Sequence, residues 1–286
     1  RSFSAPADTS ALGGGHAHCG LLRYDAPEFP AEYRGEFFFH NLHGHRMVRE
    51  TVERDGSGYV ARHRPDFLLT NNHDFIGVGA MQGPDGAIYF SDWVDPQTCH
   101  HIDIEIWDRT NGRIFRVRHG DAKSTVTDLL DLNDAELVAT LGHENSFHAR
   151  QARRLLQERA ADDRLDKEAF GEAIARFESD HADDVPMRLR AFWTRHVTGH
   201  LSEELVLDAL SDPEEHIRGW AVQLAAVDDR TLPRFIEMAE EEDSLVVRRR
   251  LASKLQRLPH EQRWKIAEGL IAHRRSSHDR NIPLLC

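Results

Sequence analysis

Two histidines near the start of the chain have the type and spacing that acid–base chemistry needs. His16 and His18 stand two positions apart at the beginning of a β-rich run. Residues two apart in a strand point to one side, and imidazole titrates near neutral pH, so the pair predicts a general base. The same imidazoles could instead bond the carbonyl groups of a turn. His16 and His18 are the candidate catalytic residues.

A cluster of cationic side chains follows the next β-rich run, in the sequence His43-Gly44-His45-Arg46. Arg46 can form two parallel hydrogen bonds to a carboxylate, which a lysine cannot match geometrically. His45 and Arg46 are therefore the candidate residues for binding an anionic cofactor. A solvated hairpin tip or a salt bridge from one blade of β-strands to the next explains the same cluster equally well.

Carboxylates surround a long predicted loop over residues 94–111. Asp92, Asp95 and Asp103 offer the oxygen ligands that calcium takes, about six to eight at a time. Long loops inside compact domains are often functional, and His100 in this loop would suit zinc or another transition metal better. The spacing matches no compact metal motif, so a network of ion pairs is the competing interpretation.

The elements that must position these residues are short β-strands in two similar series. Four β-rich runs lie within residues 18–69 and three within residues 76–117, separated by turn residues such as Gly83-Pro84-Asp85-Gly86. Four antiparallel strands make one β-propeller blade, and a propeller closes with roughly four to eight blades. Two blades alone would leave open sheet edges. We therefore predict about two C-terminal blades of a larger β-propeller over residues 1–121.

The second half of the chain has the pattern of helices rather than strands. From about Leu129 the apolar period changes from about two to about 3.6 residues. Asn133 with Glu136 three residues later predicts a helix start through Leu141, and Asp212 before Pro213 predicts another.

Helix pairs then recur along this half, each with an arginine in its second helix. Those arginines are 40, 28 and 30 residues apart, so two of the three spacings are shorter than the roughly 40–47 residues of HEAT repeats. We predict an all-α, HEAT-like solenoid over residues 122–286, so the fold class is α+β with two domains. We expect the arginines to bond acidic residues of neighbouring repeats, as structural links. They are Arg150, Arg190, Arg218 and Arg248.

Charge and composition exclude several classes of function. The net charge of −12 disfavours nucleic acid as a partner, because phosphate binding needs a basic face. No apolar run approaches the ~20 residues that a membrane-spanning helix needs. The three cysteines form no zinc motif, and the chain contains no Cys-x-x-Cys-His sequence for covalent haem.

Five motifs in order resemble the end of the propeller in a family of bacterial membrane-bound dehydrogenases. That propeller is similar to those of sorbosone dehydrogenase and soluble glucose dehydrogenase, and a HEAT-repeat region follows it in the family. The resemblance covers the whole chain, more weakly in the helices. The motifs lie at residues 16–20, 29–35, 43–46, 83–93 and 112–117.

The resemblance implies a quinoprotein that oxidises a sugar or alcohol with pyrroloquinoline quinone (PQQ) and calcium. It also implies a cytochrome c-like electron acceptor, a periplasmic or extracellular, membrane-associated location, and haem c only in a separate C-terminal domain. In the family the catalytic base is expected in an earlier blade. On this chain the resemblance points to His16 or His18 as a base, His45 and Arg46 at the quinone, and Asp92, Asp95 and Asp103 at calcium.

One departure from the family favours a second hypothesis. Relatives often carry an arginine facing the central channel where this chain has Ile76. Its absence favours a non-catalytic propeller and solenoid that binds a carbohydrate or a protein. A metal-dependent hydrolase is a third class, which rests only on the His- and Asp-rich loop.

Overall fold

The structure is a computed structural model that describes residues 17–95, 110–120 and 128–286. Within these residues it contains two antiparallel β-sheets, of four and three strands, and eleven α-helices, so the predicted mixture of sheet and helix is confirmed. The chain forms two compact units. The sheet unit comprises Arg1–Glu53, Ala61–Leu129 and His143–Arg150, and the helical unit comprises Arg54–Val60, Leu130–Gly142 and Gln151–Cys286.

Both sheets are simple meanders in which neighbours along the chain are neighbours in space. The first sheet has the order β1-β2-β3-β4 and the second the order β5-β6-β7. The last described strand ends before the first helix begins. The strands are β1 His18–Arg23, β2 Phe37–Asn41, β3 Arg46–Asp55, β4 Gly58–Leu69, β5 Gly77–Gln82, β6 Ile88–Asp92 and β7 Arg113–Val117.

The core of the sheet unit lies between the two sheets. Phe38 and Met47 of the first sheet are fully buried together with Ile88 and Phe90 of the second. Alternation in each strand supplies these residues, because positions two apart share a face. The buried aromatic and aliphatic side chains therefore hold the two sheets face to face, and their burial is the main favourable term in this unit.

Strands β1 and β5 lie next to each other. The Cys19 thiol reaches the carbonyl oxygen of Gly77 at 3.4 Å. Gly20 has a φ of +72°, and a Cβ added there would lie 2.6 Å from the carbonyl oxygen of Val78. A residue with a side chain would both strain the backbone and separate the strands at this point.

The Gly83-Pro84-Asp85-Gly86 turn is a docking point of the sheet unit rather than an exposed hairpin tip. The hydroxyl of buried Tyr24 donates to the carbonyl oxygen of Gly86 at 2.8 Å, and burial raises the pKa of Tyr24 to about 12. Asn145 donates to the carbonyl oxygens of Gly83 and Pro84, at 3.0 Å each. These bonds explain why residues 143–150 belong to the sheet unit although a helix begins within them.

The helical unit also contains the tip of the β3–β4 hairpin. Arg54 forms two hydrogen bonds with the carboxylate of Glu215. The backbone N–H and hydroxyl of Ser57 donate to the two carboxylate oxygens of Asp279, at 2.8 and 2.7 Å. The tip is thus fastened to the helices by charge-assisted bonds, which are stronger than neutral ones.

Most helices pack against the helix two positions along the chain, with α6 on α8 and α7 on α9. None of the helices in the described ranges combines the length and the apolar character that crossing a membrane requires. The helices are α1 Asp134–Thr140, α2 Ser146–Ala161, α3 Lys167–Asp180, α4 Val185–Val197, α5 Glu203–Ala209, α6 Glu215–Leu224, α7 Thr231–Glu241, α8 Leu245–Lys254, α9 His260–Ala272, α10 Arg274–Ser277 and α11 Ile282–Leu285.

The two predicted helix starts have different outcomes. At α1, Asn133 and Glu136 bond each other's backbone N–H groups at 2.9 and 2.8 Å, so the capping box is confirmed. At α6 the prediction was wrong by two residues, because the helix begins at Glu215 and Pro213 precedes it. The carboxylate of Asp212 bonds the N–H of Glu214 and also pairs with Arg188 of α4, so tertiary bonding decides its position.

The expected bond to an acidic residue is found at Arg218, and other repeat arginines bond carbonyl groups. Arg218 bonds both carboxylate oxygens of Glu242, at 2.7 and 2.8 Å, and reaches Asp212 through its carbonyl rather than its carboxylate. Arg190 donates to the carbonyl oxygen of Leu141 at 2.6 Å. The arginines therefore bond helix ends at least as often as acidic side chains.

Arg248 is the largest side chain that is fully buried. Its guanidinium donates to the carbonyl oxygens of Glu242, Gly269 and Leu270, at 3.0, 3.0 and 3.2 Å, and to the hydroxyl of Ser276. Burial lowers the pKa of Arg248 from its ordinary value. This one side chain satisfies carbonyl groups at the ends of α7 and α9.

We expect Arg248→Met to lower the free energy of unfolding by roughly 3 kcal/mol, because several buried carbonyls lose their donor. The free energy of unfolding of Arg248→Lys should lie between those of Arg248→Met and the unmodified chain, since an ammonium reaches fewer of the acceptors. Urea denaturation of the full chain measures both. Arg249→Met, at the partly exposed next position, is the matched control and should change stability by less than about 0.5 kcal/mol. Equal losses at the two positions would contradict this role for Arg248.

Candidate functional site

His18, the candidate base within the described residues, is exposed at the start of β1. Its ring packs edge-on against Phe39, with the ring centroids 5.3 Å apart. His18 is the strand partner of Asn41, and Asn41 is the partner of Arg46. His16, its predicted companion, lies outside the described residues.

The register places His18 and Arg46 on the same face of the first sheet. Residues opposite each other on antiparallel strands share a face, and two strand spacings separate these two Cα atoms by about 10 Å. Arg46, however, is buried, and its guanidinium lies 3.5 Å from the carboxylate of buried Asp66 on β4. The structure therefore uses Arg46 in a buried ion pair between β3 and β4 of one sheet, and not in the salt bridge between blades that the sequence also allowed.

His45 is held in place by the backbone of a neighbouring segment. Its Nδ1 donates to the carbonyl oxygen of Phe75 at 2.8 Å, and its own carbonyl accepts from the hydroxyl of Thr70 at 2.8 Å. Its φ of +49° is unusual for a residue with a side chain. These bonds fasten the β2–β3 turn to residues 70–75 and direct Nδ1 towards protein rather than towards a ligand.

The carboxylate of Asp92 accepts four hydrogen bonds from residues of the sheet unit. One oxygen accepts from the N–H groups of Ile76 and Val94, at 2.8 and 3.1 Å. The other accepts from Nε and one Nη of Arg113, at 2.9 and 2.5 Å. An ionised carboxylate has about four acceptor positions, so Asp92 has none to give to a metal ion.

The other two candidate metal ligands do not complete a site within the described residues. Asp95 is buried, and its backbone N–H bonds the carbonyl oxygen of Asp74 at 3.0 Å. Asp103 lies outside the described residues. In residues 17–95, 110–120 and 128–286, no group of three His, Cys, Asp or Glu side chains has the arrangement to hold a metal ion.

These contacts decide whether the described residues fit PQQ and calcium. Arg46 is paired with Asp66, His45 donates to Phe75, and Asp92 has no acceptor position left. A quinone carboxylate or a calcium ion would have to displace buried partners of these groups, at a cost comparable to breaking a buried ion pair. The described residues therefore do not fit the cofactors that the resemblance implies.

The sheet unit also contains a strongly perturbed imidazole at His40, which the sequence patterns did not mark as functional. His40 is fully buried, and its ring lies 5.0 Å from that of Phe90, edge-on. A Cβ added at Gly77 would lie 2.1 Å from its Nδ1, so only glycine leaves room for this ring. Burial lowers the pKa of His40 to about 4, against the opposing effect of the Asp92 charge.

A groove of about 610 Å³ opens at the end of the second sheet, beside the Asp92–Arg113 pair. Trp93 is 62 % exposed there and Ile114 is 80 % exposed. Arg113 is fixed by Asp92 on one side and lies 5.2 Å from the ring centre of Phe115 on the other. We call this the Trp93 groove, and it is lined by residues 78, 91–93 and 111–114.

Local signals for the Trp93 groove are present in the sequence, although they did not lead to it. Trp93 lies two residues after Ser91, so strand alternation predicts that both face away from buried Phe90. Asp92 and Arg113 are an opposite-charge pair across two strands. Their register could not be predicted because the two residues are 21 positions apart in the sequence.

Comparison with known sequences gives one match. Residues 3–121 match a family described as Domain of unknown function (DUF7133). No curated protein and no solved structure matches the chain. The match covers the part of the sequence that contains all seven strands.

We expect the sheet unit to lose stability as the pH falls from about 6.5 towards about 4, because of His40. In this window the unfolded chain binds a proton at His40 that the native state excludes, so lowering the pH favours unfolding. A shift of this size corresponds to roughly 3 kcal/mol. Denaturation at a series of pH values gives the free energy of unfolding as a function of pH, and its slope in this window should be shallower for His40→Leu than for the unmodified chain. His18→Leu, at an exposed imidazole, should keep the slope of the unmodified chain, and an unchanged slope in His40→Leu would contradict the assignment.

Proposed function

We propose that the chain is a non-catalytic binding module whose sheet unit binds a carbohydrate in the Trp93 groove. The observation that carries this proposal is an exposed indole beside a guanidinium that is already fixed in position. A sugar ring presents an apolar C–H face and a rim of hydroxyl groups. An aromatic side chain and a few placed polar groups are the complement of such a ring.

Each lining group has a role in this proposal. Trp93 supplies the flat apolar contact, and Val78 and Ile114 extend it on the same surface. The Arg113 guanidinium has five N–H donors and uses two on Asp92, so it can also donate to sugar hydroxyls or to the carboxylate of an acidic sugar. Because Asp92 and Phe115 hold the guanidinium in place, little conformational entropy is lost on binding.

Two further observations support binding rather than catalysis. The candidate cofactor and metal side chains Arg46, His45 and Asp92 are engaged in internal bonds. Helices of the second unit also pack in the sequence α6 on α8 and α7 on α9, which supports a HEAT-like scaffold. Scaffolds of stacked helix pairs commonly present binding surfaces.

We expect Trp93→Ala to weaken oligosaccharide binding at least tenfold, equivalent to ~1.4 kcal/mol. Calorimetry with a panel of neutral glucans, xylan fragments and uronic acid oligomers measures the affinity and selects the sugar class. Trp264→Ala is the matched control, since Trp264 is 74 % exposed on α9 of the helical unit and lines no part of the groove. Arg113→Gln should weaken uronic acid oligomers more than neutral ones. Binding that is absent throughout the panel, or is unaffected by Trp93→Ala, would refute the carbohydrate site.

A second candidate function is that of a quinoprotein-like dehydrogenase, in which the two sheets are neighbouring propeller blades. The observation that favours it is the contact between β1 and β5, which the propeller interpretation requires of inner strands. In this proposal His18 at the start of β1 faces the channel, a sugar or alcohol is the substrate, and a cytochrome c-like protein accepts the electrons.

Dye reduction distinguishes the two candidates. The chain is incubated with PQQ and calcium, and reduction of an electron-accepting dye is followed with a panel of sugars and alcohols. Under the binding proposal we expect no substrate-dependent reduction, since Asp92 and Arg46 are engaged. Reduction that disappears in His18→Ala, but persists in a variant of the exposed His143, would favour the dehydrogenase instead.

A further inference from the structure

The helical unit carries a groove with an apolar floor between α4, α5 and α6. Phe192 and Ile217 form the buried part of the floor, and Leu205 is 38 % exposed at its edge. The groove has a volume of about 510 Å³, enough to hold a large side chain and its neighbours. Asp208 stands on the wall of this groove, on the same helix as Leu205.

A second groove of about 430 Å³ continues from the first. The two grooves share Asp212 and Pro213 in their linings, so they adjoin at these residues, and together we call them the furrow. The second groove is polar, and exposed Glu241 and Asp243 lie along it at the end of α7. The groove with the apolar floor therefore adjoins a second groove with an acidic lining, which we call the acidic channel.

The arginines that line the furrow are already matched with carboxylates of the furrow. Arg195 forms two hydrogen bonds with Glu178, at 2.6 and 2.7 Å, and Arg188 pairs with Asp212. These pairs neutralise the positive charge on the wall of the apolar groove.

The acidic channel also contains arginine–carboxylate pairs, and its lining has more carboxylates than arginines. Arg218 is paired with Glu242, and Arg234 with Glu237 at 2.6 Å. Four arginines and seven carboxylates line the two grooves, so carboxylates exceed arginines by three. Among the described residues no ion pair forms at Asp208 or Glu241; the Asp243 carboxylate pairs with His273 at 3.9 Å, and Arg275 bonds the Asp243 carbonyl oxygen at 3.2 Å.

We propose that the furrow binds a basic segment of a partner protein. One bulky apolar residue of the segment enters the groove over Phe192 and Leu205, and flanking lysines or arginines pair with Asp208, Glu241 and Asp243. An acidic segment or a nucleic acid would meet the surplus of negative charge, and a purely apolar segment would leave that surplus without partners. The site lies wholly within the helical unit and does not rest on the carbohydrate site.

Fluorescence anisotropy with labelled nonapeptides tests this surface on the full chain. The first peptide has one central leucine flanked by lysines and arginines, the second has the same leucine flanked by glutamates, and the third replaces the central leucine of the first by serine. We expect the basic peptide with leucine to bind more tightly than either of the others. Raising the sodium chloride concentration from 50 to 300 mM should weaken that binding, since exposed charges are screened.

Three variants locate the binding on the furrow. The double variant Asp208→Asn, Glu241→Gln should weaken the basic peptide by fivefold or more, and Leu205→Ala should remove the preference for leucine over serine. Glu240→Gln is the matched control, because Glu240 is exposed on α7 beside Glu241 but does not line the furrow. All four side chains are exposed, so these changes should leave the helices folded, which circular dichroism verifies. Equal binding of the basic and acidic peptides, no binding of either, or equal loss in the double variant and the control would overturn the proposal.

Discussion

The need to satisfy carbonyl groups at helix ends organises the helical unit. Each helix leaves its last four carbonyls without partners inside the helix, and buried cations occupy several of these positions. Arg248 bonds the ends of α7 and α9, and Lys254 donates to the carbonyl oxygen of Ala225 just after α6, at 2.5 Å. Burial lowers the pKa of both cations. A buried charge without acceptors is costly, so α8 and the helix ends around it must come together as one arrangement.

In the sheet unit, buried carboxylates have the equivalent role, because they bond backbone N–H groups or arginine side chains. Asp92 accepts two backbone N–H groups, one just before β5 begins and one just after β6 ends, and Arg113 on β7 donates to its other oxygen. Arg46 and Asp66 pair in the interior of the first sheet. The side chains whose types indicated chemistry are therefore those that fasten strands to one another. Residue type alone does not distinguish a ligand from a structural fastener, because both functions use the same hydrogen-bonding groups.

Features that depend on a few neighbouring residues could be predicted from the sequence, and features that depend on distant partners could not. The capping box of Asn133 and Glu136 is local, and so is the tight turn that ends at Gly86. The start of α6 was misplaced because Arg188 on another helix binds Asp212. Burial of His40 depends on Gly77, which lies on a strand of the other sheet. The order of the strands and the change to helices could be predicted from the periodicity of apolar residues. The hydrogen-bond partners of the polar side chains could not, because tertiary contacts determine them.

The buried side chains of Arg46 and Asp92 have internal partners, whereas those of Trp93 and Asp208 are exposed, and this contrast supports the proposal of binding rather than catalysis. A catalytic acid, base or nucleophile must change its proton or its bonding partner during the reaction. Arg46 and Asp92 would lose buried partners in any such change. Surface groups such as Trp93 and Asp208 can instead gain a ligand without losing an internal contact on which the fold depends. Under the proposed binding function, the buried charges keep their internal partners, and the exposed aromatic and acidic side chains that line the Trp93 groove and the furrow are the ones that contact a ligand.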